Sequence, residues 1–527
     1  MCNSLLSFAI AVVLLSISLS YYFTKMNSNT DLMASNALLF VSNTAKSLKL
    51  CLKSSRLVKN ILYIKYIGVH NNLSVINKQI IDIYSKTATQ NANLDIRLIL
   101  KPLEGFKKLQ TNHPIDMILT DSRIENQNLK ELVSNIRPGC QLLTIETENE
   151  IESMKGEPVK TYEYVALGGT FDRLHNGHKI LLTQAALRAT KHVTVGVTDV
   201  NMIQSKILWE LIQPVEVRIK AVKDFLTDIN PDLEYNVLAI QDMYGPTKDD
   251  PRFEMIVLSE ETYRGGVKIN EKRKENGIRE LDMHVIELAH DDQHSSEEDA
   301  KLSSSNQRMR LLGTMLKPPK PNSNIPVTPY VIGLAGGIAS GKSNITEKLK
   351  LKDAAIVNCD LIAHDLYKPG LPLNRTLAET FGNDIITATG EIDRKKLGEI
   401  VFSDTEKLKK LNQTVWPFII EEAQNRIKVL GEQGYKVVVM EAAVMIQAKW
   451  FRYCHQLWAV IVPPKEAIRR LQERNNLSEE EAKKRVEAQP TNYEQVSQAN
   501  VVFSPYWSYE FTQQQIDKAW GELQKYL

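Results

Sequence analysis

Eight consecutive residues in the second half of the chain have the types and spacing of a phosphate-binding loop. Gly336–Ser343 fits the pattern G-x-x-x-x-G-K-[ST]. Glycines let backbone N–H groups close around phosphate oxygens, Lys342 can reach the outer phosphates, and Ser343 can ligate magnesium. The loop follows the apolar run Tyr330–Leu334 and leads into a helical stretch, as such a loop requires. We therefore predict an ATP site with Mg²⁺, formed by Gly336, Gly337, Ile338, Ala339, Ser340, Gly341, Lys342 and Ser343.

An acidic residue ends the next apolar run. Asp360 follows residues 354–359, and a carboxylate at the C-terminal end of a parallel strand lies in the crevice where ligands bind. There it could accept the proton of an attacking hydroxyl. The alternative is that Asp360 is the N-cap of a helix over Leu361–Tyr367, and one residue could do both. A later apolar run, Val437–Met440, ends in a second acid, Glu441.

Arginines on polar helical segments follow further along. A mobile lid could present one or more of Arg469, Arg470, Arg474 and Arg485 to phosphate oxygens, with Arg470, Arg474 and Arg485 as the candidate lid residues. An ordinary charged helix surface is the alternative for most of them.

Several other stretches of the second half are shared with one known family. They are Gly333–Ser343, Asp360 with its following helix, Ile392–Arg394, Trp416–Pro417, and Arg485 with Gln489. With these stretches the second half resembles dephospho-CoA kinase over nearly its whole length. The resemblance implies that Asp360 is the base for the ribose 3′-hydroxyl of dephospho-CoA and that residues 470–489 form the lid over ATP. The chain departs from the family at Glu441, at Gln447, and at residues 496–498, where an arginine is expected.

A second candidate turn lies earlier, at Gly168–His178. It follows the predicted strand Tyr164–Leu167 and enters an apolar-faced helix, and the strand Val193–Val197 completes a βαβ unit. Its glycines permit close approach of a phosphate, and two imidazoles three residues apart at a helix start share one face. A short H-x-G-H string alone would also fit helix caps or metal ligands.

Three further stretches accompany this turn: Leu302–Arg308, Glu216-x-Arg218 and Val257–Gly266. Together with Gly168–His178 they resemble the nucleotidylyltransferase family, and in particular phosphopantetheine adenylyltransferase. Val257–Gly266 resembles the bifunctional coenzyme A synthases of animals. The resemblance covers the chain from about Tyr164 to its end.

The resemblance implies an adenylyl transfer from ATP to 4′-phosphopantetheine. The phosphate of that substrate is already ionised, so the enzyme must position the reactants and neutralise charge. His178 and Lys206 would stabilise the transferred phosphoryl group, with Mg²⁺ sharing the charge. The alternative for Lys206 is a surface lysine. The implied ATP contacts are Gly169, Thr170, Phe171, His175, Ser303, Ser304, Ser305 and Arg308.

Length and composition set limits on these assignments. At 527 residues the chain exceeds one core, and roughly 150 residues per domain suggests three or four units. The 65 Lys plus Arg against 63 Asp plus Glu give a net charge of +2, which excludes a general attraction to nucleic acid. The cysteines include no C-x-x-C pair, which argues against a disulfide framework or zinc site: Cys2, Cys51, Cys140, Cys359 and Cys454.

The first residues form an uncharged apolar segment, Leu5–Phe23. That length can almost span a bilayer, and the segment lacks the basic region that precedes the core of a signal peptide. We predict a membrane anchor; a cleaved signal or a buried helix is the alternative. Positive charge after the segment predicts a cytoplasm-facing enzyme, and the resemblance makes the mitochondrial outer membrane plausible. These charges are Lys25, Lys46, Lys49, Lys53 and Arg56.

The overall prediction is an α/β chain of three folded regions. We expect an anchor (1–27), an N-terminal α/β region of unknown role (28–160), a Rossmann-like nucleotidylyltransferase domain (161–317), a proline-rich linker (318–329) and a P-loop kinase domain (330–527). In the N-terminal region the predicted strands are Ile61–Val69, Ile96–Leu100, Ile115–Thr120 and Leu142–Ile145, and the predicted helices are Val75–Tyr84 and Leu129–Ile136.

Two other functions compete with coenzyme A synthesis. One is a cytidylyltransferase fused to a different small-molecule kinase. The other is a membrane-tethered scaffold that binds nucleotides without turnover. The pairing of the two modules favours coenzyme A synthesis, because the dephospho-CoA made by the first is the acceptor of the second.

Overall fold

The computed structural model describes residues 33–67, 73–91, 94–101, 108–121, 129–147, 159–287, 290–291, 294–402 and 404–527. The chain divides into two compact units between Asn306 and Gln307. The first unit holds two parallel sheets and the second holds one. We call residues 33–145 the N-terminal domain, 159–306 the central domain and 307–527 the C-terminal domain.

The N-terminal domain is a five-stranded parallel sheet in the order β3-β2-β1-β4-β5. Its strands are β1 (Ala34–Val41), β2 (Val58–Tyr66), β3 (Asp95–Leu98), β4 (Ile115–Asp121) and β5 (Ile136–Ile145), and its helices are α1 (Ser47–Ser54) and α2 (Leu73–Gln90). The central strand β1 and helix α1 were not predicted. The helix predicted over Leu129–Ile136 is wrong, because the Leu132 carbonyl and the Ser134 N–H bond the backbone of Leu109 instead of a helical turn.

The central domain is a second parallel sheet, ordered β10-β9-β6-β7-β8. Its strands are β6 (Tyr162–Gly169), β7 (Ala189–Thr198), β8 (Glu234–Ile240), β9 (Met255–Ser259) and β10 (Asp282–Ile286). Its helices are α3 (Asn176–Arg188), α4 (Val200–Ile203), α5 (Val215–Ile229), α6 (Tyr263–Glu275) and α7, which starts at Ser304 and ends at Leu311 beyond the division. Because β6 lies between β7 and β9, its carboxyl end is the point where the strand order reverses, and ligands bind at such points.

The C-terminal domain repeats this design in the order β12-β13-β11-β14-β15. Its strands are β11 (Tyr330–Gly336), β12 (Ala355–Asn358), β13 (Val437–Glu441), β14 (Gln456–Val460) and β15 (Val501–Phe503). Its helices are α8 (Lys342–Lys350), α9 (Cys359–Leu366), α10 (Pro372–Phe381), α11 (Arg394–Phe402), α12 (Thr405–Glu432), α13 (Pro464–Asn475), α14 (Glu479–Glu487), α15 (Asn492–Gln498) and α16 (Tyr509–Leu523). The central strand β11 carries the phosphate loop at its carboxyl end.

The segment before the proline-rich stretch packs on the C-terminal domain. The Gly313 N–H donates to the Val502 carbonyl at 2.9 Å, and the Leu316 N–H donates to the Asn500 carbonyl at 2.7 Å. A Cβ at Gly313 would lie 2.1 Å from the Gln515 carbonyl oxygen, so only glycine fits this approach. The division of the chain therefore lies before the domain end that the sequence predicted at Lys317.

The predicted anchor Leu5–Phe23 lies outside the described residues. Among the residues that the structure does describe, no helix is long and apolar enough to cross a membrane. Some of the positive charge counted after the anchor belongs to a folded domain. Lys53 lies in α1, and Lys46, just before it, is buried and donates to the Thr147 carbonyl.

A buried carboxylate joins the N-terminal domain to the central domain. Asp228 of α5 is fully buried and accepts bonds from the Tyr63 hydroxyl at 2.6 Å, the Arg97 guanidinium at 2.6 Å and the Asn112 N–H at 2.8 Å. An ionised group out of water needs such partners, because an unpaired buried charge is strongly destabilising. The two domains of the first unit therefore fold against each other through a specific polar contact.

We expect Asp228→Ala to lower the free energy of unfolding of the first unit by about 3–5 kcal/mol, because the Tyr63 hydroxyl, one N–H of Arg97 and the Asn112 N–H all lose their acceptor. Asp232→Ala is the matched control, since the pair of Asp232 with Lys101 spans the same two domains but Asp232 is 57% exposed. Its loss should stay below about 1 kcal/mol. Hydrogen exchange of amides in β6 and β7 measures both values. Equal losses in the two variants would contradict the importance of the buried carboxylate.

Candidate active sites

The phosphate loop of the C-terminal domain contains residues with left-handed backbone conformation. Gly341 has φ +96° and Ala339 has φ +58°, so the loop includes left-handed residues that favour glycine. A Cβ at Gly341 would lie 2.8 Å from Cγ of Pro505. The side chain of Gln489 supports the loop from the other side, because its Oε1 accepts from the Ile338 N–H at 2.6 Å. The loop leads into the N-terminus of α8, and a helix N-terminus favours the binding of phosphate.

Lys342 lies at the centre of this loop. Its ammonium donates to the carbonyl of Gly336 at 2.6 Å and to that of Gly337 at 3.2 Å. Burial lowers the pKa of Lys342, while the negative charges of Glu441 and Asp360 oppose that shift. The ammonium therefore lies against the first carbonyls of the loop, close enough to Glu441 and Asp360 for their charges to raise its pKa.

The loop opens into a cavity of about 710 Å³ that brings together residues from five parts of the domain. All the loop residues from Gly337 to Ser343 line it, together with Asn358, Asp360, Glu441, Ala443, Arg470, Glu473, Arg474 and Gln489. A volume of this size suits a small-molecule site. The sequence did not single out Asn358, Ala443 or Glu473.

Asp360, the predicted proton acceptor, lines this cavity and its side chain is exposed. It is the second residue of α9, and the N-cap is Asn358, whose side chain accepts from the Leu361 N–H at 3.0 Å. The alternative role of Asp360 as the helix cap is therefore wrong. Asn358 before a helical run is the kind of N-cap signal that could have revealed this. With the cap supplied elsewhere, the Asp360 carboxylate remains available to a ligand.

Glu441 lies at the carboxyl end of β13, beside the loop strand. It is 6% exposed and accepts from the side-chain amide of Asn358 at 3.1 Å. Burial raises the pKa of the Glu441 carboxyl, and the positive charge of Lys342 acts in the opposite direction. Gln447, the other departure from the family, is exposed and does not line the cavity.

The predicted lid arginines lie in different places. Arg470 of α13 donates to the Ala339 carbonyl at 3.3 Å and to the Pro505 carbonyl at 2.7 Å, so it already contacts the loop. Arg474, one turn further along α13, also lines the cavity. Arg485 of α14 is exposed and is not among the lining residues.

The turn after β6 in the central domain is also strained. Phe171 and Arg173 have φ of +51° and +45°, a conformation that is costly for residues with a Cβ and that concentrates at functional sites. Asp172 between them is fully buried, and it accepts from the Gln213 N–H at 3.0 Å and from Arg173. Arg218 of α5 is buried too and donates to the Thr170 carbonyl at 2.7 Å. These bonds hold the turn in place.

The two predicted histidines are stacked at the start of α3. The ring centroids of His175 and His178 are 3.8 Å apart with an interplanar angle of 27°. The His175 N–H lies 3.5 Å from Nδ1 of His178. A Cβ at Gly177 would lie 3.1 Å from the His175 ring, so glycine leaves room for the stack. Both imidazoles are half-buried, as suits groups that meet a ligand.

The stretch Leu302–Arg308 contacts the turn Gly168–His178, although the two are far apart in the sequence. The Ser304 hydroxyl donates to the Asp172 carbonyl at 3.1 Å and lies 3.4 Å from Nε2 of His175. The Ser303 hydroxyl accepts from the Asn306 N–H at 3.2 Å, and Ser305 is half-buried on the first turn of α7. Arg308 follows on the same helix and is buried.

The remaining predicted residues of the central domain lie on the same turn, except for one. Gly169 ends β6, and Thr170 follows it and accepts from the Thr198 hydroxyl at 3.1 Å. Lys206 lies on an exposed turn after α4. It stays a prediction that Lys206 reaches the reacting phosphates.

These two sites define a class of protein. The C-terminal domain has the features of a P-loop kinase: a parallel sheet with a phosphate loop, an acid that faces the cavity and an arginine that contacts the loop. A nucleotidyltransferase-like domain lies in the same chain. Residues 330–505 match the family described as dephospho-CoA kinase, and residues 166–310 match the family described as cytidylyltransferase-like. The chain belongs to the dephospho-CoA kinase family. The pairing of these two domains, predicted from the sequence, is confirmed.

Two bacterial dephospho-CoA kinases are similar in sequence to part of this chain. The chain is 40% identical over 186 residues to the dephospho-CoA kinase of Carboxydothermus hydrogenoformans. The aligned residues make up 35% of this chain and 90% of the relative. It is 36% identical to the dephospho-CoA kinase of Enterococcus faecalis, over 37% of this chain and 96% of the relative. Among solved structures, the dephospho-CoA kinase of Campylobacter jejuni has 24% identity and a TM-score of 0.27, covering 37% of this chain and 96% of that chain.

We expect Gly341→Ala to weaken binding of a non-hydrolysable ATP analogue about tenfold, equivalent to roughly 1.4 kcal/mol, because the new Cβ displaces the loop from Pro505. Gly434→Ala is the control: its φ of +97° imposes comparable backbone strain, but a Cβ there meets nothing within 4 Å. Titration calorimetry measures both affinities. If Gly434→Ala weakened binding as much as Gly341→Ala, general destabilisation would be the cause instead of loop geometry.

Proposed function

We propose that this chain catalyses the last two steps of coenzyme A synthesis. The first step transfers an adenylyl group from ATP to 4′-phosphopantetheine, giving dephospho-CoA and diphosphate. The second phosphorylates the ribose 3′-hydroxyl of dephospho-CoA with a second ATP. The observation that carries the proposal is the presence of a dephospho-CoA kinase domain and a cytidylyltransferase-like domain in one chain. The product of one reaction is then the substrate of the other.

The first reaction needs no nucleophile from the enzyme. The phosphate of 4′-phosphopantetheine attacks the α-phosphorus of ATP, and diphosphate leaves. Charge grows on the transferred phosphoryl oxygens, and donors aimed at that charge supply the rate enhancement. His178 and Lys206 are the proposed donors. Thr170 and His175 would hold the nucleotide, and Ser303, Ser304 and Arg308 the diphosphate side.

The second reaction needs a proton acceptor and a phosphate clamp. Asp360 is proposed to accept the proton of the ribose hydroxyl as that oxygen attacks the γ-phosphorus. Lys342 would exchange its bonds to the Gly336 and Gly337 carbonyls for bonds to ATP oxygens. Arg470 and Arg474 are proposed to neutralise the charge that develops on the phosphates. Arg485 would join them only if α14 moved.

The donor set of the kinase cavity suits magnesium. Mg²⁺ prefers hard oxygen ligands and usually binds through one or two protein groups plus phosphate oxygens. The Ser343 hydroxyl and the Glu441 carboxylate both line the cavity and are the oxygen donors proposed to hold it. When bound with ATP, the ion would supply positive charge to the phosphates.

The match to a cytidylyltransferase-like family keeps a second candidate open for the first reaction. A cytidylyltransferase would use CTP with a phosphorylated amino alcohol. Turnover of CTP with phosphocholine or phosphoethanolamine above that of ATP with phosphopantetheine would favour this candidate.

We expect two substitutions to separate the reactions. His178→Ala should lower the rate of diphosphate formation about a hundredfold or more, because one donor to the developing charge is lost. Asp360→Asn keeps the shape of the side chain but cannot accept a proton, so kcat of the kinase reaction should fall by about 10²–10⁴ with ATP affinity nearly unchanged. Chromatography of the products from phosphopantetheine and ATP measures both.

Each variant is the control for the other. His178→Ala should still phosphorylate supplied dephospho-CoA, and Asp360→Asn should accumulate dephospho-CoA. A variant that makes ordinary amounts of coenzyme A would refute the role of its residue. Wild-type protein that made neither product would refute the proposed function.

We propose that the apolar segment Leu5–Phe23 anchors a cytoplasm-facing enzyme in a membrane, for which the resemblance implies the mitochondrial outer membrane. The support is its length without charge and the Lys25 that follows it.

We expect the full chain to remain in the pellet after carbonate extraction of cell membranes, and a chain starting at Met26 to be active in the supernatant. Extraction of the full chain into the supernatant would rule out a spanning anchor.

A further inference from the structure

Helix α3, whose first turn carries His178, is covered on its polar side. A helix on the face of a sheet ordinarily keeps one side in water. In α3, however, Asn176 and every residue from Lys179 to Arg188 are buried. Buried polar side chains need hydrogen-bond partners. The partners therefore identify what covers the helix.

The N-terminal domain supplies partners for four of these side chains, all on α2 or β3. Four side chains of α3 bond to it: Asn176 Nδ2 donates to the Tyr84 carbonyl at 2.7 Å, Lys179 Nζ pairs with Asp95 Oδ1 at 2.5 Å, Thr183 Oγ1 lies 3.2 Å from the Tyr84 hydroxyl, and Arg188 Nη2 donates to Asn77 Oδ1 at 3.3 Å. The bonds run from the first turn of α3 to its last. Helix α2 thus lies along α3 on the side away from the central sheet.

Two of these bonds reach the turn that carries the motif. Asn176 lies between His175 and His178, and Lys179 follows His178 directly. Lys179 is 4% exposed, and Asp95 is held from its other side by Arg97, at 2.7 Å. Burial raises the pKa of the Asp95 carboxyl, but Lys179 and Arg97 together outweigh burial and lower it. Burial lowers the pKa of Lys179, while the negative charge of Asp95 opposes that shift. The contact joins a buried ammonium to a carboxylate that is 29% exposed.

We propose that the N-terminal domain is a working part of the adenylyl-transfer site, and that Asn176 and Asp95 are positioning residues. Through Tyr84 and Lys179 they fix the first turn of α3, and that turn fixes the rings of His175 and His178. The inference rests on the proposed function of the central domain. A displacement of about 1 Å in a reacting group can cost roughly a hundredfold in rate, so the hold on this turn governs turnover.

The test compares Asn176→Ala and Asp95→Asn with Tyr63→Phe in the full chain. Tyr63→Phe removes a buried bond to Asp228 across the same pair of domains, but Asp228 lies on α5 and not on the motif helix. We expect kcat for diphosphate formation to fall about tenfold to a hundredfold in the first two variants, with KM for ATP changed less than about twofold. Tyr63→Phe should keep the wild-type kcat. Asp95→Glu, which retains the carboxylate, should recover part of the rate.

Two further readouts separate positioning from unfolding. Phosphorylation of supplied dephospho-CoA reports on the C-terminal domain of the same molecules and should be unchanged. Amide hydrogen exchange of residues 178–182 should speed up in Asn176→Ala and Asp95→Asn but not in Tyr63→Phe. Asp95→Asn has nearly the same shape as the native side chain, so it provides the measurement if Asn176→Ala does not fold.

Unchanged kcat in both positioning variants would overturn the inference. An equal loss of kcat in Tyr63→Phe would also overturn it, because loosening of the domain contact in general would then be the cause. If wild-type protein formed no diphosphate from ATP and phosphopantetheine, the proposed function would fail instead. Hydrogen exchange would still decide whether the N-terminal domain holds the motif turn.

Discussion

Both sites depend on the same constraint, a parallel strand that turns at once into a helix. Such a turn leaves backbone N–H groups without helical partners at the carboxyl edge of the sheet, and phosphate is the ligand that such groups favour. The turns after β6 and β11 meet this need with strained backbone at Phe171 and Ala339. Each turn follows the central strand of its sheet, where the strand order reverses. The surrounding structure maintains the strain, as is common at functional sites.

The two sites differ in how charge is arranged around the turn. In the C-terminal domain, Lys342 lies between two loop carbonyls and the acids Glu441 and Asp360. In the proposed transfer to a hydroxyl, Lys342 would clamp the phosphates and Asp360 would accept the proton. In the central domain, stacked imidazoles and serine hydroxyls surround the turn. In the proposed adenylyl transfer the attacking phosphate carries its own negative charge, so positioned donors would suffice there.

Burial of polar groups joins the first two domains into one unit. Asp228 receives three hydrogen bonds, two of them from side chains of the N-terminal domain, and Asp95 pairs with both Lys179 and Arg97. Removing one partner of such a set would leave a charge away from water, so the domains cannot separate without a large cost. A region without a catalytic motif of its own is thereby tied to the helix that carries His178.

The two candidate sites and the strand–turn–helix order at each of them could be predicted from the sequence. The loop Gly336–Ser343 and the string Gly168–His178 could be found because turn geometry and ligand contacts are fixed by residues close together in the chain. Contacts between residues that are far apart in the sequence could be seen only in the tertiary structure. Asn358 rather than Asp360 caps α9, which leaves the acid facing the cavity, and Ser304 meets His175 from far along the chain. The sequence predicted α3 as a helix with one apolar face, yet α2 covers its polar side as well, because the partners of Asn176 and Lys179 lie in another domain.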